Sequence, residues 1–154
     1  MSIGPHDIEI RYDPIVPTRV SVISKVRRFR PKELTLIRHE ATHLIQCPFC
    51  PGNEHMTPPA TLVIKKEGDM IRYYRDSNDL RVKGWLVRIF PNKYPIFSPY
   101  VTTSGYGYHE VVVETPNHSI KPYMMSNGEL ALVFKAVLTR INAVSYSHLT
   151  LPTN

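Results

Sequence analysis

The sequence predicts an α+β fold, a mostly antiparallel sheet with a flanking helix. Three observations lead there. Short segments alternate apolar and polar residues along most of the chain, as half-buried strands do. Turn residues separate them, with 14 prolines in 154 residues, and regular βαβ alternation is missing. An apolar run with a clear helical period comes only near the end.

The elements follow in order. Residues 8–12 alternate as a short strand ending at Asp13-Pro14, and Arg19 to Ser24 alternates again. Arg27-Arg28-Phe29-Arg30-Pro31 then forms a dense cationic turn. From Lys32 to Gln46 the pattern is ambiguous, with Leu34, Ile37, Ala41, Leu44 and Ile45 fitting a helical face. Ala60–Lys66 and Ile71–Arg75 flank Glu67-Gly-Asp-Met70 as a hairpin. Trp85–Phe90 is a strand stopped by Pro91, and residues 95–107 are loop. His109–Thr115 is the clearest strand, stopped by Pro116. Ser126-Asn-Gly-Glu129 has the form of a capping box. Leu130, Phe134, Val137, Leu138 and Ile141 then line one face of a helix. After Asn142 the helical period is lost. Residues 1–142 therefore read as one domain, and 143–154 as a non-native tail.

Composition narrows the class. The chain is 42% apolar and 21% charged, ordinary for a globular protein. A net charge of +6 favours anionic partners. Met1-Ser-Ile-Gly-Pro-His has neither the basic start nor the apolar stretch of a signal peptide. No apolar run approaches the roughly 20 residues of a membrane-spanning helix. With its two cysteines close together, a disulfide framework is not expected and a cytoplasmic location is.

Those two cysteines carry the chemistry. Cys47-Pro-Phe-Cys50-Pro-Gly-Asn spaces two thiolates for one tetrahedral Zn²⁺ on a tight turn. The pair supplies only half of such a site. His39, His43, His55, His109 and His118 are the candidates for the rest. His39 and His43 lie four residues apart, and His39-Glu-Ala-Thr-His43 has the H-E-x-x-H form of zinc peptidases. Three fixed positions make that a weak motif, and no third ligand follows at a familiar spacing. His118 lies in Glu114-Thr-Pro-Asn-His118, just past a strand end.

Taken in order, Ser24-x-x-Arg27-x-x-Arg30-Pro31, Cys47-Pro-Phe-Cys-Pro-Gly-Asn53, Phe90-Pro-Asn-Lys-Tyr94 and Glu114-Thr-Pro-Asn-His118 resemble galactose-1-phosphate uridylyltransferase. That family belongs to the histidine-triad-like nucleotidyltransferases. The resemblance covers roughly residues 8 to 142 and implies the N-terminal part of such an enzyme. Its members exchange UMP between UDP-glucose and galactose 1-phosphate through a uridylyl-histidine intermediate. By the same resemblance, Zn²⁺ is held by Cys47, Cys50 and His118, with a fourth ligand from a His-Pro-His motif. Arg27 and Arg30 fall where the family sets arginines on phosphates. Met56 matches a position near the base, and Asn92 with Lys93 matches an Asn-Asp pair at the ribose and base. Lys93 departs from the pattern, because an ammonium cannot accept hydrogen bonds from hydroxyls. His109 fits a structural role better than a place in the cleft.

The His-Pro-His-x-Gln stretch has no counterpart here, and His148 in Ser147-His-Leu-Thr-Leu-Pro does not match it. The nucleophile is therefore not expected on this chain. The implied partners are UDP-glucose and a hexose 1-phosphate, with a homodimer for the full-length enzyme. Two other readings stand beside this one. An ADP-glucose phosphorylase or related adenylyltransferase is kept open by Lys93. A zinc-knuckle module for nucleic acid is suggested by the charge, but the chain lacks interleaved basic and aromatic repeats.

Overall fold

Alternation along the chain becomes two antiparallel sheets, one in each of two units. The computed structural model describes residues 8–16, 18–25, 47–100 and 106–149. The cationic turn at 27–31 and the ambiguous stretch at 32–46 lie outside them.

The first unit comprises residues 1–38 and 91–110. Strands β1 (Ile8–Tyr12) and β2 (Val20–Ser24) pair antiparallel, with Ile8 opposite Ser24 and Tyr12 opposite Val20. Asp13 ends β1 because its side chain bonds the turn. Its Oδ1 accepts the amides of Ile15 (2.8 Å) and Val16 (3.0 Å). Ser24 Oγ donates to the Pro95 carbonyl (2.8 Å), joining the hairpin to the 91–110 segment.

The second unit, residues 39–90 and 111–154, holds a four-stranded sheet and a helix. Its strands are β3 (Leu62–Glu67), β4 (Met70–Tyr74), β5 (Trp85–Pro91) and β6 (Glu110–Val113). They lie in the order β4-β3-β5-β6. β3 and β4 form the expected hairpin, closing on the pair Glu67–Met70. Gly68 takes φ +57 at the first central position of this two-residue loop while Asp69 keeps a negative φ, as a type II′ turn requires.

β3 and β5 also pair antiparallel, but their register slips. Ile64 faces Val87, whereas Lys65 faces Trp85. Leu86 is thus an extra residue on β5. A one-residue slip moves every side chain beyond it to the other face of the sheet. Val87 and Ile89 join Leu62, Ile64, Met125, Val133 and Ala136 on the helix side. Trp85 instead joins Phe90, Val63 and Ala60 on the opposite side.

Helix α1 (Asn127–Leu149) packs on β3. Its capping box forms as the sequence predicts. Glu129 Oε2 accepts the Ser126 amide (2.8 Å) and hydroxyl (2.7 Å), and Ser126 Oγ lies 3.3 Å from the Glu129 amide. These bonds from Ser126 hold the Glu129 carboxyl below its ordinary range. Ser126→Ala should cost about 1 kcal/mol in urea unfolding at neutral pH. Because the Glu129 pKa is depressed, the cap contributes above the carboxylate range and fades as pH falls through it. The penalty of the substitution should therefore shrink in acid.

Two features of α1 differ from the sequence expectation. The inward stripe is Leu130, Val133 and Ala136. Of the predicted face, Phe134 (65% exposed), Leu138 (58%) and Ile141 (53%) point to solvent. The helix carries two apolar stripes, and the one with the small Ala136 lets the backbone approach the sheet closely. The helix also runs past Asn142 to Leu149. Backbone hydrogen bonding needs no apolar period, and the next proline is Pro152.

Candidate metal centre

The cysteine turn is shaped by its own backbone. The Cys50 amide donates to the Cys47 carbonyl (3.2 Å), and the Asn53 amide donates to the Cys50 carbonyl (3.1 Å). Asn53 Nδ2 reaches back to the same Cys47 carbonyl (2.8 Å), closing the loop. Gly52 adopts φ +93, and nothing lies within 4 Å of where a Cβ would stand. Its glycine is demanded by conformation rather than by space. Phe49 stacks on Phe90 of β5, with ring centroids 6.1 Å apart.

His118 arrives from the far side of β6. The turn that presents it is built by side chains. Thr115 Oγ1 accepts the Asn117 amide (3.2 Å), and Asn117 Oδ1 accepts the Ser119 amide (3.1 Å). The result sets His118 Nδ1 3.2 Å from Cys50 Sγ. Ligand atoms of Cys47, Cys50 and His118 all lie within 4.8 Å of one another. A cavity of about 290 Å³ opens beside them, lined by Phe49, Val111, Val113 and Pro116.

The donor set suits a borderline-soft ion. In a tetrahedral zinc site ligand atoms sit about 3.5 Å apart, so small adjustments of this triangle are enough. Burial, reinforced by the neighbouring Cys47, pushes the Cys50 thiol up to about 11. A metal must therefore displace its proton on binding. Two thiols and one imidazole fill three positions and leave a fourth to another donor.

The remaining predicted residues are placed as follows. His55 is exposed and is not in the triangle. His39 and His43, with the H-E-x-x-H segment, lie outside the described residues, as do Arg27 and Arg30. Met56 ends the 3-10 turn Glu54–Met56 and is 46% exposed. Within the first unit, Asn92 Oδ1 accepts the Tyr94 amide (2.8 Å), and its side-chain amide lies 3.2 Å from His109 Nε2. Lys93 is exposed, its Nζ 5.9 Å from the Tyr94 ring centre. His109 Nδ1 accepts the Ile96 amide (2.9 Å), which gives it the structural role favoured from sequence.

Sequence reasoning missed the support behind the turn. Glu54 is 2% exposed and accepts the Trp85 indole N–H (2.9 Å). Further along β5, Arg88 is 1% exposed and pairs with the buried carboxylate of Asp76. Its guanidinium lies 5.9 Å from the Trp85 ring centre and 5.6 Å from that of Phe90. The only signal was Arg88, a charged residue within the apolar run of β5.

No family model matches the chain. ADP-glucose phosphorylase of Arabidopsis thaliana is 27% identical over 152 residues, covering 89% of this chain and 39% of that protein. The crystal structure of an Arabidopsis thaliana ADP-glucose phosphorylase with bound ADP-glucose aligns with TM-score 0.51 and 26% identity, over 90% of this chain and 38% of that one. An X-ray structure of a GalT-like protein from Arabidopsis thaliana aligns with TM-score 0.52 and 27% identity, over 65% and 30%.

In sequence and fold the chain is thus similar to part of an ADP-glucose phosphorylase and part of a GalT-like protein. It spans about two fifths of the curated relative's length, covering 39% of it. Among the described residues no helix is long and apolar enough to cross a membrane.

Proposed function

We infer that this chain forms part of a sugar-nucleotide nucleotidyltransferase or phosphorylase in which Cys47, Cys50 and His118 hold a structural Zn²⁺. The observation that carries the reading is the ligand triangle, assembled from two separate stretches of chain within 4.8 Å. Bound zinc would tie the cysteine turn to the end of β6. Substrate contact is proposed, on the motif match alone, for Arg27 and Arg30 with phosphate, Met56 with the base, and Asn92 and Lys93 with the ribose and base. A hexose 1-phosphate is the proposed second substrate where the activity is a transfer.

The nucleotide is proposed to be adenine-based. ADP-glucose is bound in one aligned structure, and the sequence relative is an ADP-glucose phosphorylase. Lys93 in place of an acidic partner agrees with a departure from the uridylyl pattern. The UDP-glucose reading drawn from the motifs is the alternative. Calorimetric titration of the zinc-loaded chain should show tighter binding of ADP-glucose than of UDP-glucose. Equal affinity, or a preference for UDP-glucose, would restore the uridylyltransferase reading. Steeply salt-dependent binding of RNA, with no response to either sugar nucleotide, would favour a nucleic-acid module instead.

A further inference from the structure

Glu54 is the most deeply buried acidic side chain close behind the cysteine turn, at 2% exposure. A carboxylate in such a place needs donors around it. Both its oxygens lie 3.1 Å from the Gly52 amide. Oε1 also accepts Trp85 Nε1–H at 2.9 Å. On its other side, the Glu54 carbonyl accepts the Thr57 hydroxyl (3.0 Å), and Arg88 Nη1 lies 3.4 Å from that hydroxyl. The carboxylate thus bridges two objects. One is the φ +93 amide two residues past Cys50. The other is a strand side chain that the extra residue Leu86 turns toward this face. Asn53 closes the turn upon itself through the Cys47 carbonyl, but among the described residues Glu54 alone hydrogen-bonds this turn to the indole of β5.

We propose that Glu54 is the positioning residue of the metal centre, holding the cysteine turn against Trp85 so that both thiols are set for the ion before it binds. The proposal rests on the reading of Cys47, Cys50 and His118 as metal ligands. Groups that orient ligands without touching the metal typically govern its affinity by about 10–100-fold.

The chain supplies its own reporter, because Trp85 is its single tryptophan. The full chain is titrated with Co²⁺ and with Zn²⁺ while thiolate-to-cobalt absorption, chelator competition and Trp85 emission are followed. Wild type should show the cobalt–thiolate band and a shift in Trp85 emission as metal binds. Glu54→Ala should lower affinity by about 10–100-fold. Glu54→Gln keeps one acceptor oxygen but sets an amide N–H₂ near the Gly52 N–H. It should lose less affinity, yet show cobalt absorption without the emission shift. Trp85→Phe should lower affinity without abolishing binding, and it covers the case in which Glu54→Ala fails to fold. Val87→Ala, on the helix side of the same strand, should leave affinity and emission shift unchanged. Wild-type affinity together with a wild-type emission shift in Glu54→Gln would overturn the proposal. Loss of affinity in Val87→Ala equal to that in the Glu54 variants would also overturn it, since general destabilisation would then explain both. Absence of a cobalt–thiolate band in wild type would instead overturn the metal reading, and the proposal with it.

Discussion

Cys50→Ser should abolish stoichiometric zinc retention and lower the melting temperature of the zinc-loaded chain by about 10 °C. The magnitude follows from linkage. A ligand present at about 1,000 times its dissociation constant stabilises the native state by about 4 kcal/mol. In a chain of this size each kcal/mol moves the midpoint by about 2–4 °C. The sulfur of Cys50 forms one corner of the triangle, on a buried residue and 3.2 Å from His118 Nδ1. Serine offers a hard oxygen that stays protonated where a thiol would ionise to the metal. The measurement is metal content after gel filtration, followed by thermal melts with and without chelator. Chelator should lower the wild-type midpoint and leave that of the variant unmoved. An equal response to chelator in both proteins would rule out Cys50 as a ligand.

Asp76→Ala should have the second large effect, a loss of about 3–5 kcal/mol, because it strands a buried guanidinium. The Asp76 side chain is fully buried and pairs with Arg88 at 2.5 Å. It also serves the backbone: Oδ2 accepts the Ala60 amide (2.9 Å) and Oδ1 the Val82 amide (2.8 Å). Its removal therefore orphans two amides as well as one cation. Arg88→Met should cost less. It leaves a carboxylate that still accepts both amides and has Arg81 Nε 3.8 Å away. Urea unfolding of the two variants should rank them in that order, and the reverse order would show that the cation rather than the carboxylate organises this corner. The effect on metal affinity should be smaller than that of Glu54, since Asp76 bonds none of the turn residues 47–53 in the described structure.

Much of this arrangement was legible before any coordinates. Alternation and proline stops placed the strands within a residue or two at most ends, because a half-buried strand writes its period directly. The capping box at Ser126 and the Gly68 turn were readable because both depend on local chemistry. The pairing of His118 with the cysteines was readable only through ordered motifs, since no local spacing links residues 68 positions apart. What could not be read depends on three-dimensional choice. Two apolar stripes wind around α1, and side-chain size favours Phe134, Leu138 and Ile141. Close approach to the sheet selects Val133 and Ala136 instead. Glu54 looked like an ordinary loop acid, because its partner Trp85 lies 31 residues away. That Trp85 faces the turn at all depends on the register slip on β5, which strict alternation from Val87 and Ile89 would place on the other side.

That slip also bears on how this protein can vary. Upstream of Leu86 the strand's odd-numbered Trp85 faces the cysteine turn, while downstream the odd-numbered Val87 and Ile89 face the helix. Substitutions can therefore accumulate on either face of β5 almost independently. A single-codon insertion between Ile64 and Lys65 is different in kind. It would give the extra residue Leu86 a partner and leave the ladder paired, yet carry the indole to the helix side and away from Glu54. In comparisons among relatives, a one-residue insertion there would signal loss of the turn's anchor more strongly than many replacements elsewhere.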